Sequence, residues 1–183
     1  IMTSGMEHKP RKIGEMEKKV KIIGNRSKKI EFCKNESKIF ETADNLGIPY
    51  PETEFVQNLG VAHESASKIG YPVLLKPSPR GGGVGIKLAE KPEELEVYFE
   101  ELSSRERVET ILVQKFIEGI DASASVLSNG RKSKCLTTNR QVIGESRLGT
   151  PREFGYCGGI VPMEIDSKIS SKMARYSEDL CEE

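Results

Sequence analysis

Apolar residues recur with the spacing of a helix in several parts of this sequence. Helices are expected over residues 27–33, 35–46, 61–69, 92–102 and 167–181. In the fourth of these, Leu95, Phe99 and Leu102 fall on one face, as in a helix that packs on a core. Asn35 or Ser37 is placed to cap the second helix, because its side-chain oxygen can accept an unpaired backbone N–H of the first turn.

Shorter apolar runs, either alternating or continuous, predict strands. These are expected over residues 20–23, 73–76, 84–88, 110–114, 122–127 and 134–138. The pair Asn129-Gly130 between the last two strands is typical of a β-hairpin. GIPYPET, residues 47–53, favours an extended connection, because proline disfavours helix at the residue before it.

Composition narrows the class of protein. The 183 residues can bury one substantial core or two small lobes, and 28 basic residues balance 28 acidic ones. This balance of charge therefore does not favour a nucleic acid or a membrane as partner. The four cysteines form no CxxC pair, and only two histidines are present, so zinc spacing is absent and no metal ligand is assigned. Without a signal peptide or a long apolar run, the chain is expected to be cytoplasmic.

Residues 71–86, YPVLLKPSPRGGGVGI, carry the clearest chemical signal. An apolar strand delivers Lys76 to the edge of a loop with glycines at 81, 82, 83 and 85, whose backbone N–H groups can approach an anion closely. A Walker loop is excluded, because GxxxxGK[ST] does not occur. A dinucleotide fingerprint is excluded because Ile86 replaces its third glycine, and a protein-kinase loop because there the lysine follows the loop. The alternative is a surface hairpin with an incidental lysine.

Three spaced segments resemble the ATP-grasp superfamily. PVLLKPSPRGGGVGI resembles its phosphate-binding strand and loop, and KNESKIFETADNLGIPYPET resembles its entry segment. ILVQKFIEGIDASASVLSNG resembles the strand, hinge and strand that hold adenine and ribose. TSGMEHKP, NRQVIG and FGYCGGIVP look most like archaeal ATP-grasp carboligases, a group that includes tyramine-glutamate ligase.

The resemblance implies an α+β chain with part of the ATP-grasp fold, in which antiparallel-sheet lobes carry flanking helices. Residues 1–34 would be the tail of a preceding Rossmann-like domain, 35–119 the small lobe and 120–183 the start of the C-terminal lobe. Lys38 and Lys76 would bind the phosphates of ATP, a hinge would bind adenine chiefly through its backbone, and Asp121 would bind ribose. The remaining implied ATP-binding residues are Gly81, Gly82, Gly83 in the loop and Gln114, Lys115, Phe116, Ile117 in the hinge.

The implied reaction joins a small-molecule carboxylate to an amine through an acyl-phosphate. Arg140 is the candidate catalytic residue, since a guanidinium suits a carboxylate or acyl-phosphate, although an exposed hairpin arginine is an equal alternative. Arg80 and Glu7 are secondary candidates. The family's Mg²⁺ ligands, an acid and an acid-x-Asn pair on later strands, have no counterpart here. The chain is therefore expected to be a fragment of a longer enzyme, inactive alone. A natural short protein that has lost catalysis is the alternative. The alternative function is an ATP-sensing regulatory module.

Overall fold

The computed structural model describes residues 9–79, 81–105, 108–150 and 152–183. The helices are α1 Pro10–Glu17, α2 Ser27–Cys33, α3 Glu36–Asn45, α4 Leu59–Ile69, α5 Pro92–Glu100 and α6 Ser167–Glu182. The strands are β1 Thr53–Val56, β2 Val73–Ser78, β3 Lys87–Ala89, β4 Thr110–Lys115, β5 Ala122–Ser128, β6 Ser133–Ile143 and β7 Tyr156–Ile160. A π-helical turn, Glu101–Arg105, extends α5, and a 3₁₀ turn, Ser146–Leu148, follows β6.

Local chemistry fixes the ends of α3 and α4. The side chain of Asn35 accepts a hydrogen bond from the N–H of Lys38 at 3.1 Å, and Asn58 does the same for Val61 at 3.0 Å. Gly70, with φ of 81°, ends α4 in a conformation that favours glycine. Of the two caps that the sequence offers, Asn35 and Ser37, it is Asn35 that caps α3.

The first sheet has the order β1-β4-β2-β3, and every pair of neighbours is antiparallel. Alternate residues of β2 point to opposite faces, so Val73 and Leu75 are fully buried while Lys76 belongs to the other face. Helices α4 and α5 cover the buried face. The core there includes Val56, Ala62, Ala66, Ile69, Val73, Leu75, Leu95, Phe99, Leu102, Ile111 and Val113.

The second sheet has the order β5-β6-β7, also antiparallel, and α6 packs on β5 and β6. Strand β7 pairs only with the end of β6, at Arg140–Ile143. Nearer the start of β6, helix α6 supplies hydrogen bonds instead. Glu182 accepts the backbone N–H of Ser133 at 2.6 Å, and Glu178 accepts that of Cys135 at 2.8 Å.

The predicted α+β class with antiparallel sheets and flanking helices is confirmed, and the five predicted helices form within a few residues of their expected bounds. The proposed division at residues 34 and 119 stays a prediction. None of the helices in the described part of the chain combines the length and apolar character that crossing a bilayer requires.

One predicted strand is absent, and the strand expected over residues 84–88 begins late, at Lys87, because residues 82–85 form a turn. Residues 20–23 have no strand structure, and Val20 and Ile23 are 55% and 94% exposed. Apolar side chains alone do not make a strand, because its backbone groups need a partner, and no strand in the described ranges pairs with this segment. The short strand β1 was missed, because GIPYPET and its two prolines dominate the pattern just before it. Strand β6 is longer than expected and runs through Arg140 to Ile143.

Candidate functional site

Lys76 is a half-buried residue of β2 whose ammonium group contacts a neutral amide. Its Nζ donates to Oε1 of Gln114 at 3.4 Å. Among the residues that the structure describes, no carboxylate lies within 4.0 Å of this nitrogen. A partly desolvated cation with only a neutral amide beside it favours an anion that comes from outside the chain.

Gln114 is a polar residue at the end of a buried apolar run in strand β4. Its side chain is 7% exposed at the end of β4, where Ile111, Leu112 and Val113 are buried apolar residues. Its Nε2 donates to Oγ1 of Thr53 on β1 at 2.7 Å. The sequence assigned only a backbone role to Gln114 and none to Thr53. A polar residue within the apolar run TILVQ was the available signal.

The glycine loop has a backbone that requires glycine. Gly82, Gly83 and Gly85 have φ of 67°, 73° and 79°, in the left-handed region. A Cβ added at Gly81 or Gly82 would meet nothing within 4 Å. At Gly83, by contrast, a Cβ would overlap the backbone carbonyl of Phe154. The loop therefore touches the segment before β7 at Gly83 and faces open space at Gly81 and Gly82.

The predicted hinge is tied to the neighbouring backbone. The N–H of Phe116 donates to the carbonyl of Pro72 at 3.2 Å, and Nζ of Lys115 donates to the carbonyl of Gly70 at 2.8 Å. Ile117 is 62% exposed. The Lys115 side chain thus satisfies the backbone just after α4, and its main-chain N–H donates to the carbonyl of Glu52 at 2.8 Å. The predicted backbone contact of the hinge with adenine stays a prediction.

Asp121 and Arg140 line one cleft of about 360 Å³. Both residues are exposed. Asp121 directly precedes β5, and its carbonyl accepts a hydrogen bond from the N–H of Gln141 on β6 at 2.8 Å. The cleft is also lined by Gly119, Ile120, Gln141, Val142, Ile143, Glu145 and Ile160. The lining therefore mixes charged and apolar residues.

Lys38 is exposed on α3, where its Nζ lies 5.7 Å from the centre of the Phe32 ring. No contact in the described ranges joins Lys38 to Lys76 or to the glycine loop. Arg80 and Glu7, the secondary candidates, lie outside the described residues.

The acidic residues form no cluster of metal ligands in the part of the chain that the structure describes. No group of three or more His, Cys, Asp or Glu side chains lies close enough there to hold a metal ion. Mg²⁺ prefers carboxylate oxygens in near-octahedral geometry. No catalytic step is therefore assigned to a metal held by these residues.

A model of the family described as ATP-grasp domain matches residues 33–183. The large chain of carbamoyl phosphate synthase from Pyrococcus furiosus is 35% identical over 89 residues, which are 49% of this chain and 8% of that protein. The corresponding protein of Archaeoglobus fulgidus is 36% identical over 93 residues, which are 50% of this chain and 9% of the relative. The chain thus spans about a tenth of the curated relatives that it matches.

Solved structures share the fold. The biotin carboxylase domain of Hydrogenobacter thermophilus 2-oxoglutarate carboxylase, determined with MgADP, ADP and bicarbonate, superposes with a TM-score of 0.81 at 22% identity. The alignment covers 98% of this chain and 40% of that one. VanG D-Ala:D-Ser ligase from Enterococcus faecalis gives 0.74 at 16% identity, covering 96% and 52% of the two chains. The family match and the shared fold together confirm that the chain belongs to the ATP-grasp family.

Proposed function

We propose that this chain binds ATP as part of an enzyme that joins a carboxylate to an amine. The observation that carries the proposal is Lys76, a half-buried ammonium whose one partner among the described residues is the neutral side chain of Gln114. A phosphate group is a natural partner for such a cation, since charge-assisted hydrogen bonds to phosphate are short and strong.

The glycine loop supports the same ligand. Gly81 and Gly82 leave space around the backbone, so phosphate oxygens can come close to main-chain N–H groups. Lys76 lies on β2, a few residues before these glycines, with the buried Leu75 and Pro77 on either side of it. Strand and loop together would bind the phosphates from two sides.

The hinge and the cleft would bind the rest of the nucleotide and the second substrate. Residues 114–117 would contact adenine through backbone groups, and Asp121 would accept hydrogen bonds from ribose hydroxyls. Lys38 would approach the phosphates from α3, and Arg140 would bind the substrate carboxylate or the acyl-phosphate made from it. The resemblance to tyramine-glutamate ligase and other archaeal carboligases rests on the segments NRQVIG and FGYCGGIVP.

In the proposed reaction, a carboxylate oxygen of the substrate attacks the γ-phosphorus of ATP. The bond from this phosphorus to the bridging oxygen breaks, which gives ADP and an acyl-phosphate. An amine then attacks the acyl carbon and releases phosphate and a proton. The contribution of this chain is to hold the phosphates in place and to offset the charge that develops on them, which is most of what phosphoryl transfer requires.

Mg²⁺ would be expected to accompany ATP, and the described residues hold no group of three or more acidic, histidine or cysteine side chains that could bind it without the phosphates. We propose that most of its ligands would be phosphate oxygens and water.

Titration calorimetry of the purified protein with ATP tests the proposal directly. We expect saturable binding that ADP competes for and that Lys76→Met weakens at least 10-fold. A parallel titration with GTP measures the preference for adenine. No detectable heat with ATP, or equal affinity of the wild-type protein and Lys76→Met, would refute the assignment of the site.

A further inference from the structure

Consecutive hydrogen bonds cross the first sheet from Pro51 to Lys76. The hydroxyl of Thr53 donates to the carbonyl of Pro51 at 2.7 Å. Nε2 of Gln114 donates to Oγ1 of Thr53 at 2.7 Å, and Nζ of Lys76 donates to Oε1 of Gln114 at 3.4 Å. The groups come from β1, β4 and β2 and form a single path.

The direction of this path is forced by the chemistry of its two ends. The carbonyl of Pro51 can only accept, so the single hydroxyl proton of Thr53 is used there. The oxygen of Thr53 is then available only as an acceptor, which turns the NH₂ group of Gln114 toward it. The ammonium of Lys76 can only donate, and it requires the amide oxygen. A flipped amide would place donors against donors at Lys76 and acceptors against acceptors at Thr53.

Strand register places these side chains on one face. Thr53 and Leu74 are both directly opposite Gln114, on the two strands that flank β4. Lys76 is two residues beyond Leu74 and therefore shares its face. Such a diagonal neighbour is within reach of long side chains. The side chain of Gln114 spans the distance between the hydroxyl on one strand and the ammonium on the other.

Burial makes the arrangement rigid. Gln114 is 7% exposed, so water cannot readily replace either of its partners. An unpaired amide in such a place would be costly, and both ends of this one are used. The amide therefore favours one orientation, in which its oxygen faces the ammonium of Lys76 at 3.4 Å.

We propose that Thr53 and Gln114 act as positioning residues that aim the ammonium of Lys76 at the phosphates of ATP. The inference rests on the proposed function. One of the three N–H bonds of the ammonium goes to Gln114, which leaves two for phosphate oxygens. Because the amide is neutral, it orients the lysine without cancelling its charge. Thr53 and Gln114 act only through Lys76.

The path of hydrogen bonds from Thr53 through Gln114 to Lys76 is called the relay below. A double-mutant cycle that measures ATP affinity tests it. Thr53→Val keeps the shape of the side chain but removes the hydroxyl, so that the amide of Gln114 loses its acceptor. We expect ATP to bind about 3-fold to 10-fold more weakly, the size of effect that loss of one hydrogen bond produces. In a Lys76→Met background the same substitution should change the affinity by less than about 2-fold, since additivity fails only for coupled residues.

Two further variants separate positioning from general damage. Thr53→Ser keeps the hydroxyl, so its affinity for ATP should lie within about 2-fold of wild type. Gln114→Met keeps the length of the side chain but can neither accept from Lys76 nor donate to Thr53. It should weaken ATP at least as much as Thr53→Val does. Thermal unfolding of each variant identifies any that fail to fold, and Thr53→Ser and Gln114→Met then decide the case.

The outcomes distinguish the inference from the proposed function. If Lys76→Met weakens the binding of ATP but Thr53→Val and Gln114→Met do not, the relay is wrong, and the assignment of Lys76 to the phosphates is kept. If Thr53→Val weakens ATP equally with and without Lys76, Thr53 acts elsewhere and the relay is again wrong. If Lys76→Met leaves the affinity unchanged, the phosphate lysine itself is wrong and the relay falls with it.

Discussion

The Cβ position of Gly83 coincides with the backbone carbonyl of Phe154, so the glycine loop and the segment before β7 meet without room for a side chain. Gly83→Ala must therefore displace one of the two segments as well as force alanine to a φ of 73°. We expect a loss of about 1 to 3 kcal/mol in the free energy of unfolding, measured with urea.

The neighbouring glycines provide matched controls for that loss. Gly82→Ala has a similar φ of 67° but open space, so it should show the conformational penalty alone, about 1 kcal/mol. Gly81→Ala should be close to neutral, because its position has open space and no left-handed φ. Equal losses at Gly82 and Gly83 would contradict a tight contact with Phe154.

Loss of the Lys76 ammonium should weaken the binding of ATP more than loss of any exposed lysine does. We expect Lys76→Ala to cost about 1.5 to 3 kcal/mol, or roughly 10-fold to 100-fold in the dissociation constant. Lys68→Ala is the control, since that side chain is 69% exposed and pairs with Glu54 at 3.3 Å. Lys38→Ala should have a smaller effect than Lys76→Ala, and the double variant should bind more weakly than either. Calorimetry measures all four.

Lys115 should affect stability rather than nucleotide binding. Its ammonium donates to the carbonyl of Gly70 just after α4, where a cation also suits the helix dipole. Lys115→Met should lower the free energy of unfolding by about 1 kcal/mol and change the ATP dissociation constant by less than about 2-fold. A large loss of ATP affinity without loss of stability would instead indicate that the side chain contacts the ligand.

The attachment of helix α6 to strand β6 should weaken at low pH. The N–H of Cys135 and then Lys134 hydrogen-bond to Glu178 and lower the pKa of its carboxyl below the ordinary value. A lowered pKa in the folded state means that this contribution is complete above the ordinary glutamate value, about 4.3, and is lost as pH falls through the lower folded value. Urea midpoints of wild type should therefore fall in that range more steeply than those of Glu178→Gln, which keeps an acceptor but no titrating group. Parallel pH profiles would show that Glu178 does not contribute.

Binding of ATP should protect the glycine loop from hydrogen exchange. Gly81 and Gly82 face open space, and a glycine-rich segment with few buried contacts opens easily. We expect slower exchange at residues 81–85 with saturating ATP and little change in the buried strand β4. Unchanged exchange at residues 81–85 would indicate a purely structural turn.

The sequence was sufficient where a local rule decides the structure. Asn35 caps α3, and the apolar spacing of Leu95, Phe99 and Leu102 places them inside, because both effects depend on nearby residues alone. It failed at residues 20–23, where strand structure depends on a partner elsewhere in the chain.

The candidate site likewise has parts that a local pattern predicts and parts that depend on distant residues. Lys76 and the glycines are recognisable as a linear motif. Thr53 and Gln114 are 61 positions apart and meet only when β1 pairs with β4, so no local pattern shows that their side chains form one path.

Helix α6 takes the place of a strand along the first part of β6. Glu178 and Glu182 are four residues apart, a rise of about 6 Å on a helix, and the N–H groups of Cys135 and Ser133 are two residues apart, about 6.6 Å on a strand. The two repeats nearly coincide, so both bonds form at once and only at this alignment. A shift of the helix by one residue would turn both carboxylates away. The helix thus closes this stretch to pairing by a foreign strand, and it is itself held in one register.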